Sequence, residues 1–221
     1  MNALIRKEAR LLLPNCAIGV AAALAVWLTP AHFNPASPVA TTLVAVPVAL
    51  ACGMMFAMAL DSFGLEMSGG TMANLLSQPV PRERIWRIKT ALLGLAIAVV
   101  WTTLWVTIAL HFQAVPKKEP PWNWSAIWMT GCLAAAVYSG GLWSVLLVRQ
   151  SAVALWITVL VPVGLLTVAS RFGGVSAGQF AVFSALYSIA GFWWARRLFL
   201  RAEDTRWTGG TIDRAGPSVR G

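Results

Sequence analysis

Residues 66–89 read EMSGGTMANLLSQPVPRERIWRIK, from Glu66 to Lys89. The stretch holds the breaker pair Gly69-Gly70, two prolines at Pro79 and Pro81, and a run of charged side chains. It is the longest polar interruption inside the hydrophobic part of the chain, and long apolar runs flank it. Where those runs cross a membrane, the segment becomes a structured loop held on one side, and the natural place for a soluble partner to grip.

Composition puts the flanking runs in a membrane. Hydrophobic residues make up 58% of the chain, charged residues only 11%, and the mean hydropathy is +0.69, far outside the ordinary soluble range. A helical span needs roughly 20 mostly apolar residues. Runs of that kind lie at 11–29, 39–60, 90–110, 124–148 and 151–170. A sixth run, 180–195, is shorter, and snorkelling of Arg196 and Arg197 beside the interfacial Trp193 and Trp194 extends it. The expected fold is therefore an all-α membrane protein of six transmembrane helices, one domain over 1–200, followed by a polar tail at 201–221 without apolar periodicity and expected to be disordered.

Positive charge is expected on the cytoplasmic side of a membrane protein. With the N-terminus inside, every Lys and Arg becomes cytoplasmic except Lys117, Lys118 and Arg171. An even number of spans with both termini cytoplasmic follows. The net charge of +9 is then accounted for by an anionic inner leaflet, and no nucleic acid is required.

The basic start before an apolar run has the outline of a secretory signal, yet 11–29 is long for one and no small-residue cleavage site follows. Residues 3–13, ALIRKEARLLL, instead form an amphipathic helix: Arg6, Lys7 and Arg10 fall on one face and Ile5, Ala9, Leu12 and Leu13 on the other. Such a helix rides the interface, with Pro14 expected to turn the chain into the bilayer. Glu8 projects from within the apolar arc, either as a rim carboxylate or as an ion-pair partner for the basic loop at Arg82 or Arg84. Cys16, Cys52 and Cys132 lie inside expected spans without paired spacing, so they form neither a disulfide framework nor a metal site.

Within the central segment, Asp61 and Glu66 close the second span and Gly69-Gly70 breaks its helix. Thr71 suits the N-cap of a short helix exposing Met72, Leu75 and Leu76. Pro79 and Pro81 stop that helix and start the next, and Glu83 and Arg87 are spaced for an i,i+4 ion pair.

In three places the chain resembles the membrane permeases of bacterial ABC exporters of the ABC-two type: IRKEARLLLP at 5–14, the stretch from Glu66 to Thr71, and LLSQPVPRERIWRIK at 75–89. The likeness covers the first 110 residues by motif and the rest by hydropathy alone. It implies that 3–13 is an elbow helix built on Arg6, Lys7, Glu8 and Arg10. It further implies a coupling helix between spans two and three, with Glu66, Thr71, Leu75, Leu76, Pro79, Arg82, Arg84 and Lys89 at positions that couple to an ATPase. Its other implications are a location in the bacterial cytoplasmic membrane, a second permease copy or related subunit, and ATP and magnesium bound on the partner ATPase rather than on this chain.

Missing motifs narrow the options further. No Gly-x-x-x-x-Gly-Lys-Ser/Thr run exists, so nucleotide hydrolysis of the P-loop kind belongs to a separate polypeptide. Apart from Asp61 at an edge, the expected spans carry no ionisable interior residue, which disfavours an ion-driven carrier. His32 and His111 sit near the outer ends of different spans, and no paired carboxylates or nucleophile with its base stand at membrane depth, so no catalytic or metal site is expected. A non-transporting assembly or regulatory subunit and a lipid-modifying membrane enzyme are the alternative classes. Small pairs at i,i+4, Gly19/Ala23, Gly94/Ala98 and Gly140/Ser144, allow helices to approach closely. Trp101, Trp105, Tyr138, Trp143 and Trp156 either line an apolar path or pack and face lipid.

Overall fold

A computed structural model of the chain describes residues 2–28, 38–68, 80–113, 124–148, 150–171 and 177–201. Among the described residues there is no strand. The helices are α1 (Asn2–Ala25, continued by a 3-10 turn, Val26–Leu28), α2 (Pro38–Ser68), α3 (Arg82–Gln113), α4 (Trp124–Val148), α5 (Ser151–Arg171) and α6 (Ala177–Leu200). Four segments are long and apolar enough to cross a membrane: Leu4–Leu28, Ala45–Met67, Arg82–His111 and Thr130–Val148. Fold and composition together make this an all-helical, membrane-embedded protein.

Lengths explain where the charges fall. At 1.5 Å per residue, helices such as α2 and α3, of 31 and 32 residues, extend about 45–50 Å, well beyond a hydrocarbon core of about 30 Å. Their polar ends therefore reach the interface. α2 ends at Ser68, directly before Gly69. α3 begins one residue after Pro81, whose carbonyl accepts from the Arg84 N–H at 2.8 Å and the Ile85 N–H at 3.2 Å. Pro81 thus caps the helix from just outside rather than sitting in its first turn.

One expectation is corrected at the N-terminus. The separate interfacial helix and the first span are a single helix, Asn2–Ala25, which passes through Pro14. Proline removes only the bond from its own nitrogen to the Arg10 carbonyl, and a membrane helix tolerates that loss better than it tolerates an open turn in lipid. The expected tail, the outer loops and the short helix around Thr71 lie outside the described residues.

The bundle is assembled from narrow contacts. α1 packs on α2 and α3, α2 also packs on α4, and α4 packs on α5 and most extensively on α6. Gly19 lets α1 meet α3: a Cβ there would stand 3.0 Å from Val100 Cγ2. The Gly140/Ser144 pair faces α5 and α6, with Ser144 Oγ and Thr158 Oγ1 2.7 Å apart in the buried interior. Thr158→Val keeps the shape and removes that bond. It is expected to cost roughly 1 kcal/mol, between the average of about 0.6 and the maximum of about 1.7 kcal/mol for such bonds in membranes, read as a shift in the unfolding free energy in detergent micelles.

Outward-facing positions are apolar. Leu13, Leu28, Trp128, Trp156, Leu186 and Ile189 are all mostly exposed, as a lipid-facing surface requires. Of the other aromatics, Trp105 donates to Thr130 Oγ1 at 2.9 Å and Trp143 to the Tyr187 hydroxyl at 3.2 Å. Trp101 and Trp105 also line an apolar cavity of about 200 Å³ among α2, α3 and α4, beside Val48, Met55 and Leu104. The three cysteines are free and partly buried.

Candidate functional site at the basic end of the bundle

Each of the first three helices carries a buried seam at helical spacing. In α1 it runs Glu8, Leu12, Gly19, Ala22/Ala23, Val26; in α2 Ala51, Met55, Met58/Ala59, Ser62/Phe63, Glu66; in α3 Ile85/Trp86, Lys89/Thr90, Leu93, Ile97, Val100, Leu104. The steps of three, four and, from Leu12 to Gly19, seven residues are those of one helix face. Glu8, Glu66 and Lys89 are therefore core positions by register. Their exposures are 2%, 3% and 1%.

The three charges meet. Lys89 Nζ donates to Glu8 Oε2 at 2.8 Å and to the Ser62 carbonyl at 2.9 Å. It also lies 3.0 Å from Glu66 Oε2, an ion-pair contact without hydrogen-bond alignment. Lys7 Nζ, half exposed, donates to Glu66 Oε1 at 3.0 Å. Two lysines and two glutamates make the cluster neutral, the condition under which charges tolerate burial. The ammonium of Lys89 also sits 4.9 Å from the Phe63 ring centroid, a cation–π distance.

Apolar packing surrounds the cluster. Trp86 stacks on Phe63 at 5.6 Å between centroids and contacts Phe199 at 5.4 Å and Phe192 at 5.6 Å. α6 is thereby joined to the start of α3 and the end of α2. A rim of polar ties adds to this. Asn15 Nδ2 donates to Asp61 Oδ2 at 2.8 Å, and Glu83 Oε1 accepts from Arg87 and Arg196, both at 2.9 Å. The first of these two is the expected i,i+4 pair. The second links α3 to α6 across 113 residues of sequence.

Of the expected site residues, Lys7, Glu8, Glu66 and Lys89 are brought together. Glu8 is an ion-pair partner of the basic stretch, but its partner is Lys89 and not Arg82 or Arg84, and it is no water-facing rim carboxylate. The reason is register: Lys89 follows Ile85 and Trp86 by one turn on the buried face, whereas Arg84 is exposed at the start of α3 and Arg82 is half-buried there. Arg6 and Arg10 are exposed and border an open cleft of about 380 Å³ with Lys7 and Leu11. Thr71, Leu75, Leu76 and Pro79 lie outside the described residues. Ser62, Phe63 and Trp86 join the site without having been expected there. Their signal in the sequence is an apolar seam that ends in a charge on all three helices.

Chemically the arrangement is a clamp. It fixes the last turn of α2, the first turns of α3 and the start of α1 to one another, and in sequence residues 69–79 run between the first two of these. Among the described residues no group of His, Cys, Asp and Glu has a metal-holding arrangement. Compared with family models, curated proteins and solved structures, the chain matches none.

Proposed function

We propose that this chain is the permease subunit of an ATP-binding-cassette exporter, driven by a separate P-loop ATPase that docks on the loop around residues 66–89. On this reading α5 and α6 complete six spans, both termini are cytoplasmic, and a second copy or related subunit completes the pathway. ATP and magnesium bind the partner ATPase. The observation that carries the proposal is the neutral network of Lys7, Glu8, Glu66 and Lys89, which ties the start of α1 to the end of α2 and the start of α3, the two helices that the docking segment joins. A push on that segment then moves α1, α2 and α3 as one body. Closure of the ATPase on ATP supplies the differential contact that such a mechanism requires.

Reversing two charges at the edge of the docking segment tests the proposal. Arg82→Glu with Arg84→Glu is expected to leave membrane insertion intact and to reduce co-purification of the ATPase at least tenfold, quantified by mass spectrometry of the tagged chain isolated from its own membrane. Undiminished co-purification of an ATPase would remove the docking role, and a stable chain that never brings one down would favour a non-transporting membrane subunit.

A further inference from the structure

A second feature of the basic end is independent of any ATPase. Between α3, α4 and α6 an open cleft of about 490 Å³ has Arg87, Arg196 and Glu83 at its mouth and Trp86, Tyr138 and Phe192 as walls. Further along α3 and α4 lies a second cleft of about 280 Å³, lined by Gly94, Ala98, Trp101, Gly131 and Ala135, and Tyr138 belongs to both. Tyr138 stands between the two clefts, its hydroxyl donating to the Thr90 carbonyl at 3.0 Å. Both clefts are open on their outer side, so together they form one outward-facing groove that passes over Tyr138, polar at the Arg87 end and apolar along the rest. α3 and α6 touch only sparingly here, so the space opens sideways to lipid. Gly94 and Ala98, a small pair of the kind that brings helices together, are not used for packing: a Cβ on Gly94 would make only ordinary contact, 3.8 Å from Tyr138, and Ala98 is exposed.

We infer that this groove binds one anionic phospholipid of the leaflet at the basic end, with its phosphate on Arg87 and Arg196 and one acyl chain lying along Ala98 and Ala135 toward Trp101. Length supports the assignment. From Arg87 to Trp101 a helix rises about 21 Å at 1.5 Å per residue, close to half of a bilayer of about 40–45 Å including headgroups. Charge supports it too. Two guanidiniums and one carboxylate leave a single net positive charge, which the net negative charge of an anionic headgroup balances, whereas a zwitterionic headgroup brings its own ammonium beside the phosphodiester and has no net charge to offset it. Each arginine offers five N–H donors. Both donate to Glu83 through Nη2, which holds them in place and leaves other donors for phosphate, the pattern of a basic pocket between membrane helices.

The experiment is native mass spectrometry of the full chain in detergent micelles, after equilibration with phosphatidylglycerol, phosphatidylethanolamine or phosphatidylcholine of matched acyl chains. One retained phosphatidylglycerol, in clear preference to the other two, is expected. Arg87→Gln with Arg196→Gln should weaken that retention by about fivefold per arginine. Ala98→Leu with Ala135→Leu, at two exposed positions, should fill the groove and displace the lipid while the unfolding midpoint stays unchanged. Equal retention of all three lipids, or none of any, overturns the site, and the wild-type chain alone decides that. Retention unaffected by either double substitution places the lipid elsewhere and also overturns it. A dimer that Ala98→Leu with Ala135→Leu dissociates would show the groove covered by a second copy, and that result overturns the lipid site as well.

Discussion

Replacing Lys89 with methionine is expected to destabilise the chain by about 3–5 kcal/mol, the cost of removing one partner from a buried ion pair. The substitution keeps the volume and apolar stem and deletes only the ammonium. Glu8 then loses its aligned donor at 2.8 Å, and Glu66 keeps the half-exposed Lys7 but loses a cation at 3.0 Å. The Ser62 carbonyl loses its bond as well. Unfolding in mixed micelles measures the loss. Adding Glu8→Gln to Lys89→Met should recover part of it, because the uncompensated charge is gone. Lys7→Met, at the half-exposed edge of the network, should cost far less, near the value of about 1 kcal/mol or below for exposed pairs. Equal losses for Lys7 and Lys89 would mean that burial does not govern this network.

Gly141→Val is the second large effect. A Cβ at Gly141 would stand 2.7 Å from Ala59 Cβ and 3.3 Å from the Ala59 carbonyl carbon, so α2 and α4 approach almost backbone to backbone. A valine forces them apart, and overpacking of this kind costs typically about 1–3 kcal/mol and sometimes more. Part of the obstacle is a single methyl group. Gly141→Ala combined with Ala59→Gly is therefore expected to be more stable than Gly141→Ala alone. Gly53, with nothing within 4 Å of its would-be Cβ, is the control: Gly53→Ala should be neutral or slightly stabilising, since alanine favours helix. A large loss at Gly53 together with none at Gly141 would invalidate the α2–α4 contact.

The helical, membrane-embedded nature of the chain is legible in the sequence because apolar runs of about 20 residues have few other uses. Boundaries are legible where backbone chemistry dictates them. Gly69 follows the end of α2, Pro81 precedes α3, and Glu83 finds Arg87 four residues on. The N-terminus is not, because Pro14 carries the signature of a turn, whereas inside lipid the helix is the only place for the remaining backbone groups. The partner of Glu8 escapes the sequence for a different reason. Spacing along one helix tells which face a charge occupies, but which charge faces it depends on how three helices are rotated about their axes, and only packing sets that. Thus Glu8 stands out as odd within an apolar arc, and Lys89 as part of the basic stretch, without their meeting being visible. The same limit hides the link from Arg196 to Glu83.

On the proposed function, the loop around residues 66–89 receives energy from a nucleotide-hydrolysing partner. The most direct measurement is ATP hydrolysis by the complex isolated on the tagged chain and reconstituted in liposomes. Magnesium-dependent hydrolysis is predicted to accompany the wild-type chain and to fall at least tenfold with Arg82→Glu and Arg84→Glu, while the same amount of chain inserts. Hydrolysis that persists undiminished on the charge-reversed chain, or a wild-type chain that carries none, would contradict it.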